Sequence, residues 1–284
     1  MKKILVTGSS GYIGQHLCLY LCKMGYQVTG LDRHDIGGTG CHTFIHQSIL
    51  DTNDIPGEYD AVVHLAALIQ VGMSSKCMME YYRNNVMGTM NMLERLNYDT
   101  FIFASTCQAN QSHTYGKTKL IGEHLVKDYC EAKYVPHTIF RFGNVAGTAG
   151  YRPTNIDGLM YNLIKAKETG VFHLYGDNYL TRDGTTERDY VHVLDICYAI
   201  EKAVNRASVV NGTEVQPFYD YLGCGKLYSV KDCIEAFKEV NKCDFEVVVM
   251  PKRQGDPASV RVHEYEISPY MSRWPIGLSQ MMKV

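Results

Sequence analysis

The chain has 284 residues, 45% of them hydrophobic, with 28 basic and 30 acidic side chains and a net charge of −2. That is enough material for one large or two modest cores, and the near-balance of charge offers no field for nucleic acid or an anionic membrane surface. The longest apolar runs are strand-sized, which speaks against a transmembrane helix, and the ten cysteines form no C-x-x-C pair, which leaves them as reduced thiols in a cytoplasmic protein without a metal site.

Lys3 to Thr7 reads as a first, buried strand. The apolar stretch after the basic start is only Ile4-Leu5-Val6, too short for a secretory leader. Gly8, Gly11 and Gly14 follow in a G-x-x-G-x-x-G turn, and a helical pattern runs over 12–24. A strand, a glycine turn and a helix start together make an anion site, because backbone N–H groups and the helix dipole face one point. The spacing differs from the usual G-x-G-x-x-G dinucleotide fingerprint, and a glycine turn alone can be only a turn. A second feature favours a cofactor. The next strand, 27–31, ends at Asp32, an acid that can accept both ribose hydroxyls of adenosine and would repel a 2′-phosphate. This points to NAD over NADP, with neighbouring Arg33 as a mild counter-signal.

Further strands are expected at 43–46, 60–65, 100–105 and 137–142, and helices at 76–96 and 115–133. The alternation predicts an α/β fold, a Rossmann-type doubly wound parallel sheet, with ligands beyond the carboxyl ends of the strands. His64-Leu65-Ala66-Ala67 closes the fourth strand, where small residues suit either a flat cofactor or plain packing. Asn84 and Asn85 fall inside the helix at 76–96, where asparagine usually faces solvent or bonds locally.

The fifth strand ends in Ser105-Thr106, and Tyr115 and Lys119 follow on one helix face. An ammonium beside a phenol favours phenolate, so Tyr115 can act as a base on an alcohol, with the Thr106 hydroxyl holding the substrate oxygen. Tyr-x-x-x-Lys occurs four times, also at Tyr129/Lys133, Tyr161/Lys165 and Tyr198/Lys202. Only the first pair follows a strand that ends in Ser-Thr, so position selects it, and Tyr129/Lys133 reads as a solvated face.

Beyond Arg141-Phe142-Gly143-Asn144 a Gly- and Pro-containing stretch begins a substrate-binding part. Asp195 reads as the N-cap of a helix over 196–205. A strand near 219–222 precedes Ser229-Val230-Lys231-Asp232, a capping box opening a helix to about 240, and a strand at 245–249 follows. Arg188 and Arg253 suit a diphosphate, since guanidinium forks match phosphate oxygens, although solvated arginine is the ordinary case.

With these motifs in hand, the chain resembles the extended short-chain dehydrogenase/reductase family, and within it the UDP-glucose 4-epimerases. VTGSSGYIG, HLAA and YGKTK carry the broad resemblance, and EYYRNNVMGT with YGDNYLTRDGTTERDYVHVLD carries the narrower one. The resemblance implies an NAD-binding domain at 1–150 plus about 189–215. It implies a smaller, interleaved UDP-sugar-binding domain at about 151–188 plus 216–284. It implies that Gly8, Gly11, Tyr12, Ile13 and Gly14 hold the NAD pyrophosphate and Asp32 the adenosine ribose. Ile49, Leu65, Ala66, Ala67 and Asn84 would line the cofactor. Tyr115 would be the base, Lys119 its partner and a ligand of the nicotinamide ribose, and Thr106 the family's hydroxyl. Asn144 would contact the UDP-sugar, Arg188 and Arg253 its diphosphate, and Asp256 the uridine ribose. A homodimer through the helices at 76–96 and 115–133 is implied as well.

The chain departs from the family in places. Ile69 stands where a lysine is frequent, Ser48 where an acid usually contacts adenine, and eight residues separate Thr106 from Tyr115 in place of a longer loop. Val260 stands where side-chain bulk gates N-acetylated sugars, so acceptance of UDP-N-acetylhexosamines is expected beside UDP-glucose and UDP-galactose. A sibling decarboxylase or dehydratase is one alternative. Dehydratases carry an Asp-Glu pair where this chain has Cys107-Gln108. A non-catalytic NAD-binding scaffold is the other.

Overall fold

The structure is a computed structural model that describes residues 1–37, 40–51, 55–206, 218–253, 255–261 and 276–284. Strand β1 (Lys3–Thr7) is covered from Ile4 onward. Helix α1 (Tyr12–Lys23) turns Leu17, Cys18 and Leu21 inward and ends before Gly25, whose φ of 85° is the left-handed stop that glycine tolerates. Strands β2 (Gln27–Asp32), β3 (Thr43–His46), the short β4 (Glu58–Tyr59) and β5 (Ala61–His64) follow. After a single turn, α2 (Val71–Ser74), the helix expected at 76–96 forms in three continuous pieces. These are α3 (Met78–Tyr81), a π-helical stretch (Tyr82–Met87) and α4 (Gly88–Arg95). Then come β6 (Asn97–Tyr98), β7 (Phe101–Thr106), α5 (Thr114–Ala132) and β8 (His137–Phe142).

The remaining elements are β9 (Asn144–Ala146), α6 (Leu159–Thr169), β10 (Val171–Tyr175), β11 (Glu187–His192) and α7 (Val193–Arg206). They continue with β12 (Phe218–Leu222), β13 (Leu227–Ser229), α8 (Val230–Asn241), β14 (Glu246–Met250), β15 (Ser259–Val260) and α9 (Leu278–Met281). The capping box at Ser229 and Asp232 forms as expected. Asp195 does not cap α7. It lies in the first turn, and the imidazole Nδ1 of His192 accepts the Leu194 N–H at 3.1 Å instead.

The central sheet has seven strands in the order β12-β8-β7-β5-β1-β2-β3. β3, β2, β1, β5 and β7 run parallel. The chain winds outward from β1 to β3 and returns to β5 on the other side of β1. This is the doubly wound α/β, Rossmann-type arrangement, with its switch point between β1 and β5. The core beside the sheet joins Leu5, Leu31, Val62, Phe101, Phe103 and Val126.

The chain divides into two compact units, Met1–Arg141 with Cys197–Asp220, and Phe142–Ile196 with Tyr221–Val284. Residues 142–150 and 189–196 fall in the second unit because β9 pairs with β11, from Tyr190 opposite Asn144 to His192 opposite Ala146. The sequence-based boundary at 215 lies outside the described residues. The second unit has its own core of Met160, Leu163, Phe172, Leu174, Ile234 and Phe237.

Candidate active site

The turn after β1 packs tightly enough to require glycine. Gly8 has φ of 72°, and a Cβ there would meet Ala66 N at 2.8 Å; a Cβ on Gly14 would sit 2.1 Å from Gly8 O. Gly11 is different, because its added Cβ would meet only Gly8 O, at 3.2 Å. Gly11 is the N-cap of α1 without a side-chain cap, so the first-turn N–H groups of Ile13 and Gly14 lack intrahelical partners. Asp32, at the end of β2, accepts the Ser10 N–H at 3.1 Å and the His34 N–H at 3.0 Å. A carboxylate has about four lone-pair sites, so two remain for a ligand hydroxyl. Leu65, Ala66 and Ala67 are half-buried beside this turn. Ile49 lies in the core, against the position where a Cβ of Gly88 would stand.

Beneath the turn runs a chain of hydrogen bonds. Thr7 Oγ1 and His64 Nδ1 lie 2.7 Å apart, His64 Nε2 and Thr89 Oγ1 3.1 Å, and Thr89 donates to Asn85 O at 2.7 Å. Thr7 Oγ1 also accepts the Ala66 N–H. A neutral His64 satisfies all four contacts as the Nε2–H tautomer, with Thr7 donating to Nδ1 and Thr89 accepting from Nε2. Burial, with the Lys119 charge added, pushes the His64 pKa down to about 3.

Asn84 and Asn85 are 8% and 2% exposed, not solvent-facing. The π-helical stretch turns both inward. The Asn85 carboxamide accepts the Leu68 N–H at 2.8 Å and donates to Leu68 O and to Thr118 Oγ1. It therefore clamps the segment after β5 to α5.

The eight residues between Thr106 and Tyr115 form compact turns, with Ala109 N–H bonded to Thr106 O at 3.0 Å. The Thr106 hydroxyl lies near enough to Tyr115 to favour its phenolate. Of the four lysines in Tyr-x-x-x-Lys pairs, Lys119 is buried, Lys133 and Lys165 are exposed, and Lys202 is half-buried. Tyr129 itself packs against the core, so only the Lys133 end of that pair is solvated. Lys119 Nζ lies 4.0 Å from the centroid of the Phe103 ring. Burial pushes its pKa down to about 7, against the pull of Glu123. Burial raises the Tyr115 pKa above the ordinary phenol value, and the Thr106 hydroxyl opposes it. The expected lowering by Lys119 is therefore not the dominant effect on Tyr115; dehydration of the phenolate is.

The second unit gathers another set. Arg188, 7% exposed at its side chain, donates through Nη2 to Asp256 Oδ1 at 2.5 Å and through Nη1 to Glu187 O at 2.8 Å. It is no solvated surface arginine. Val260 pairs with Arg188 across β15 and β11, and Asn144 pairs with Tyr190 across β9 and β11. The Arg253 guanidinium stacks 4.0 Å from the Tyr175 ring centroid and donates to Asp157 O. Tyr179 feels the charges of Asp256, Arg188 and Arg253, and its buried hydroxyl has no partner among the described residues.

A family model for the NAD dependent epimerase/dehydratase family matches residues 4–216. The chain belongs to that family. It is 33% identical over 296 residues to a UDP-glucose 4-epimerase of Rhizobium meliloti (strain 1021), covering 91% of this chain and 88% of that one. Its fold matches the UDP-glucose 4-epimerase of Brucella ovis solved with NAD, with TM-score 0.85, 25% identity, and 99% and 96% of the two chains covered. It also matches the UDP-Glc/GlcNAc 4-epimerase of Campylobacter jejuni, with TM-score 0.77, 28% identity, and 100% and 97% covered.

The residues fit the family's cofactor, NAD. Gly8 and Gly14 are required by the turn itself, and Gly11 leaves the start of α1 without a side chain. Ser9 Oγ, in the same turn, is buried with no hydrogen-bond partner among the described residues. Asp32 keeps acceptor capacity at the end of β2.

Sequence reasoning missed two residues of this epimerase/dehydratase chain. His113 caps α5: its Nδ1 accepts the Gly116 N–H at 3.0 Å, and its ring stacks on Tyr115 at 6.1 Å between centroids. Histidine is not a usual N-cap, so no pattern marks it. Glu123, buried at 1%, looks like any surface helix acid in the sequence. Its i+4 spacing from Lys119 was the available clue.

Proposed function

We propose that this chain is an NAD-dependent UDP-sugar 4-epimerase that interconverts UDP-glucose and UDP-galactose. One observation carries the proposal: Tyr115 is half-buried beside Thr106 at the end of β7, with Lys119 buried one turn along the same helix. Thr106 holds the 4-oxygen of the sugar, and Tyr115 takes its proton as the hydrogen leaves C4 and gives it back when hydrogen returns to the opposite face. Lys119 supplies a positive charge next to the reacting groups and binds the nicotinamide ribose. Bound NAD supplies a hydride acceptor and donor and a cationic ring that favours phenolate. The first-turn N–H groups at Tyr12, Ile13 and Gly14, with the bare backbone of Gly8 and Gly11, cradle its pyrophosphate, and Asp32 takes the adenosine ribose. Ile49, Leu65, Ala66, Ala67 and Asn84 line it.

Arg188 and Arg253 bind the UDP diphosphate, Asp256 the uridine ribose, and Asn144 the sugar. Val260 leaves space for an N-acetyl group. The enzyme is cytoplasmic and dimeric. No helix of the described residues is long and apolar enough to cross a membrane. Met79, Met87, Met90 and Ile121 expose apolar surface on the helices 78–95 and 114–132, which supports pairing of two copies there. Cys107-Gln108 after Thr106 gives no acid pair of the kind a dehydratase needs.

The test is NMR of purified protein with equal UDP-galactose and UDP-N-acetylgalactosamine, with and without added NAD. Conversion of both to their gluco forms is expected. Conversion of UDP-galactose alone removes the role given to Val260. Conversion of neither, with NAD present, removes the epimerase and leaves a sibling reaction or a scaffold.

A further inference from the structure

Behind Lys119 lies a buried group of charges that the proton transfer itself does not use. Glu123 follows Lys119 by one helical turn on α5 and is 1% exposed. Its carboxylate is bonded on every side: Arg141 Nε donates to Oε1 at 2.8 Å, Arg141 Nη2 donates to Oε2 at 2.5 Å, and the Ser105 hydroxyl donates to Oε1. Ser105 precedes Thr106 on β7, and Arg141 comes from β8. A bidentate buried pair of this kind is rigid and costly to break.

We propose that Glu123 and Arg141 form a positioning pair that sets the charge state of Lys119. The proposal rests on the reading of Tyr115 and Lys119 as the groups that move the proton.

The charge count supports it. The elements packed around Lys119 bring few ionisable groups. α5 brings Tyr115 and Glu123. β5 brings His64, held neutral by burial and by the Lys119 charge. β7 brings uncharged Phe103, Ser105 and Thr106, with Cys107 just beyond its end. β8 brings Arg141, the π-helical stretch brings uncharged Asn84 and Asn85, and α3 brings Tyr81. Among these groups Lys119 and Arg141 are the cations and Glu123 is the buried anion bonded to Arg141; Asp220, also buried, lies on β12 beside β8. Without Glu123, two cations would be buried together, and Lys119 is the one that can shed its proton, because arginine does not. Burial already lowers the Lys119 pKa to about 7, and Glu123 is the group that opposes this.

Activity that needs a protonated Lys119 falls as pH rises through its folded pKa. Glu123→Gln is expected to move the alkaline limb of kcat/KM to lower pH by at least about one unit. Arg141→Gln leaves Glu123 unshared and is expected to move the same limb to higher pH. Ser105→Ala changes no charge and is expected to leave the limb in place. A purely structural pair would lower activity equally at every pH, and that result, or limbs moving the same way in both variants, overturns the proposal. If Glu123→Gln does not fold, the direction of the Arg141→Gln shift decides.

A second readout needs no turnover. The folded Lys119 pKa lies below its unfolded value of 10.5, so its contribution makes stability rise with pH between about 7 and 10.5. That rise is measured as the difference between the protein and Lys119→Met in chemical denaturation. In the Glu123→Gln background it is expected to begin at lower pH. An unchanged onset overturns the proposal even if the epimerase reading stands. A shifted onset without any UDP-sugar turnover keeps the pair and removes the epimerase reading.

Discussion

Dehydration favours the neutral forms of both Tyr115 and Lys119, and the site's chemistry follows from what offsets it. The Thr106 hydroxyl and any cation brought near the ring favour phenolate, while burial opposes it. Tyr115→Phe removes the only proton the site is proposed to move. Its kcat is expected to fall by about 10²-fold or more, with the fold intact by circular dichroism. Retention of full turnover would remove Tyr115 from the chemistry. The sequence pointed to this pair by its place after Ser105-Thr106, not by its spacing, which recurs three more times. It could not show that Lys119 is dehydrated or that Glu123 stands behind it, because burial of a charged helix residue depends on partners such as Arg141, eighteen positions away.

At the scale of elements, local signals were read well and non-local ones were not. The capping box at Ser229 involves residues three apart and formed as expected. Ser229→Ala is expected to cost about 1 kcal/mol, read as a lower urea midpoint at unchanged slope. The caps of α5 and α7 escaped, because imidazoles do the work of the usual Ser or Asp. The π-helical stretch escaped too, since apolar spacing near 3.6 does not reveal one wide turn. Its consequence is large. Asn85 bonds to both polar groups of Leu68 and to Thr118, so Asn85→Ala leaves the Leu68 N–H and C=O without those partners. A loss of about 2–3 kcal/mol is expected in urea denaturation. A change under about 0.5 kcal/mol would show that water replaces the clamp at no cost.

Across the whole molecule, the parallel sheet was legible because its central strands are continuous apolar runs with helices between them. The second unit was harder. β14 exposes Val249 and pairs with distant β10, and β11 takes β13, β15 and β9 as neighbours from far along the chain. The buried imidazoles set a property of the molecule as a whole. His16, His64, His113 and His137 all have pKa values lowered chiefly by burial. The unfolded chain takes up these protons near pH 6.5 and the folded chain only at lower pH. The imidazole contribution to stability is therefore expected to be complete above about pH 6.5 and to be lost as pH drops below it, by up to about 1.4 kcal/mol per pH unit for each such group. Urea midpoints at a series of pH values read this directly, and a midpoint constant from pH 7 to 5 would contradict it.

The central claim is that the hydrogen leaving C4 of the sugar returns to C4 without meeting solvent. The most direct measurement is conversion of UDP-galactose by the protein in D2O, followed by proton NMR at C4 of the product. UDP-glucose with protium retained at C4 is the expected result. Deuterium at C4, or no UDP-glucose with NAD present, would contradict it.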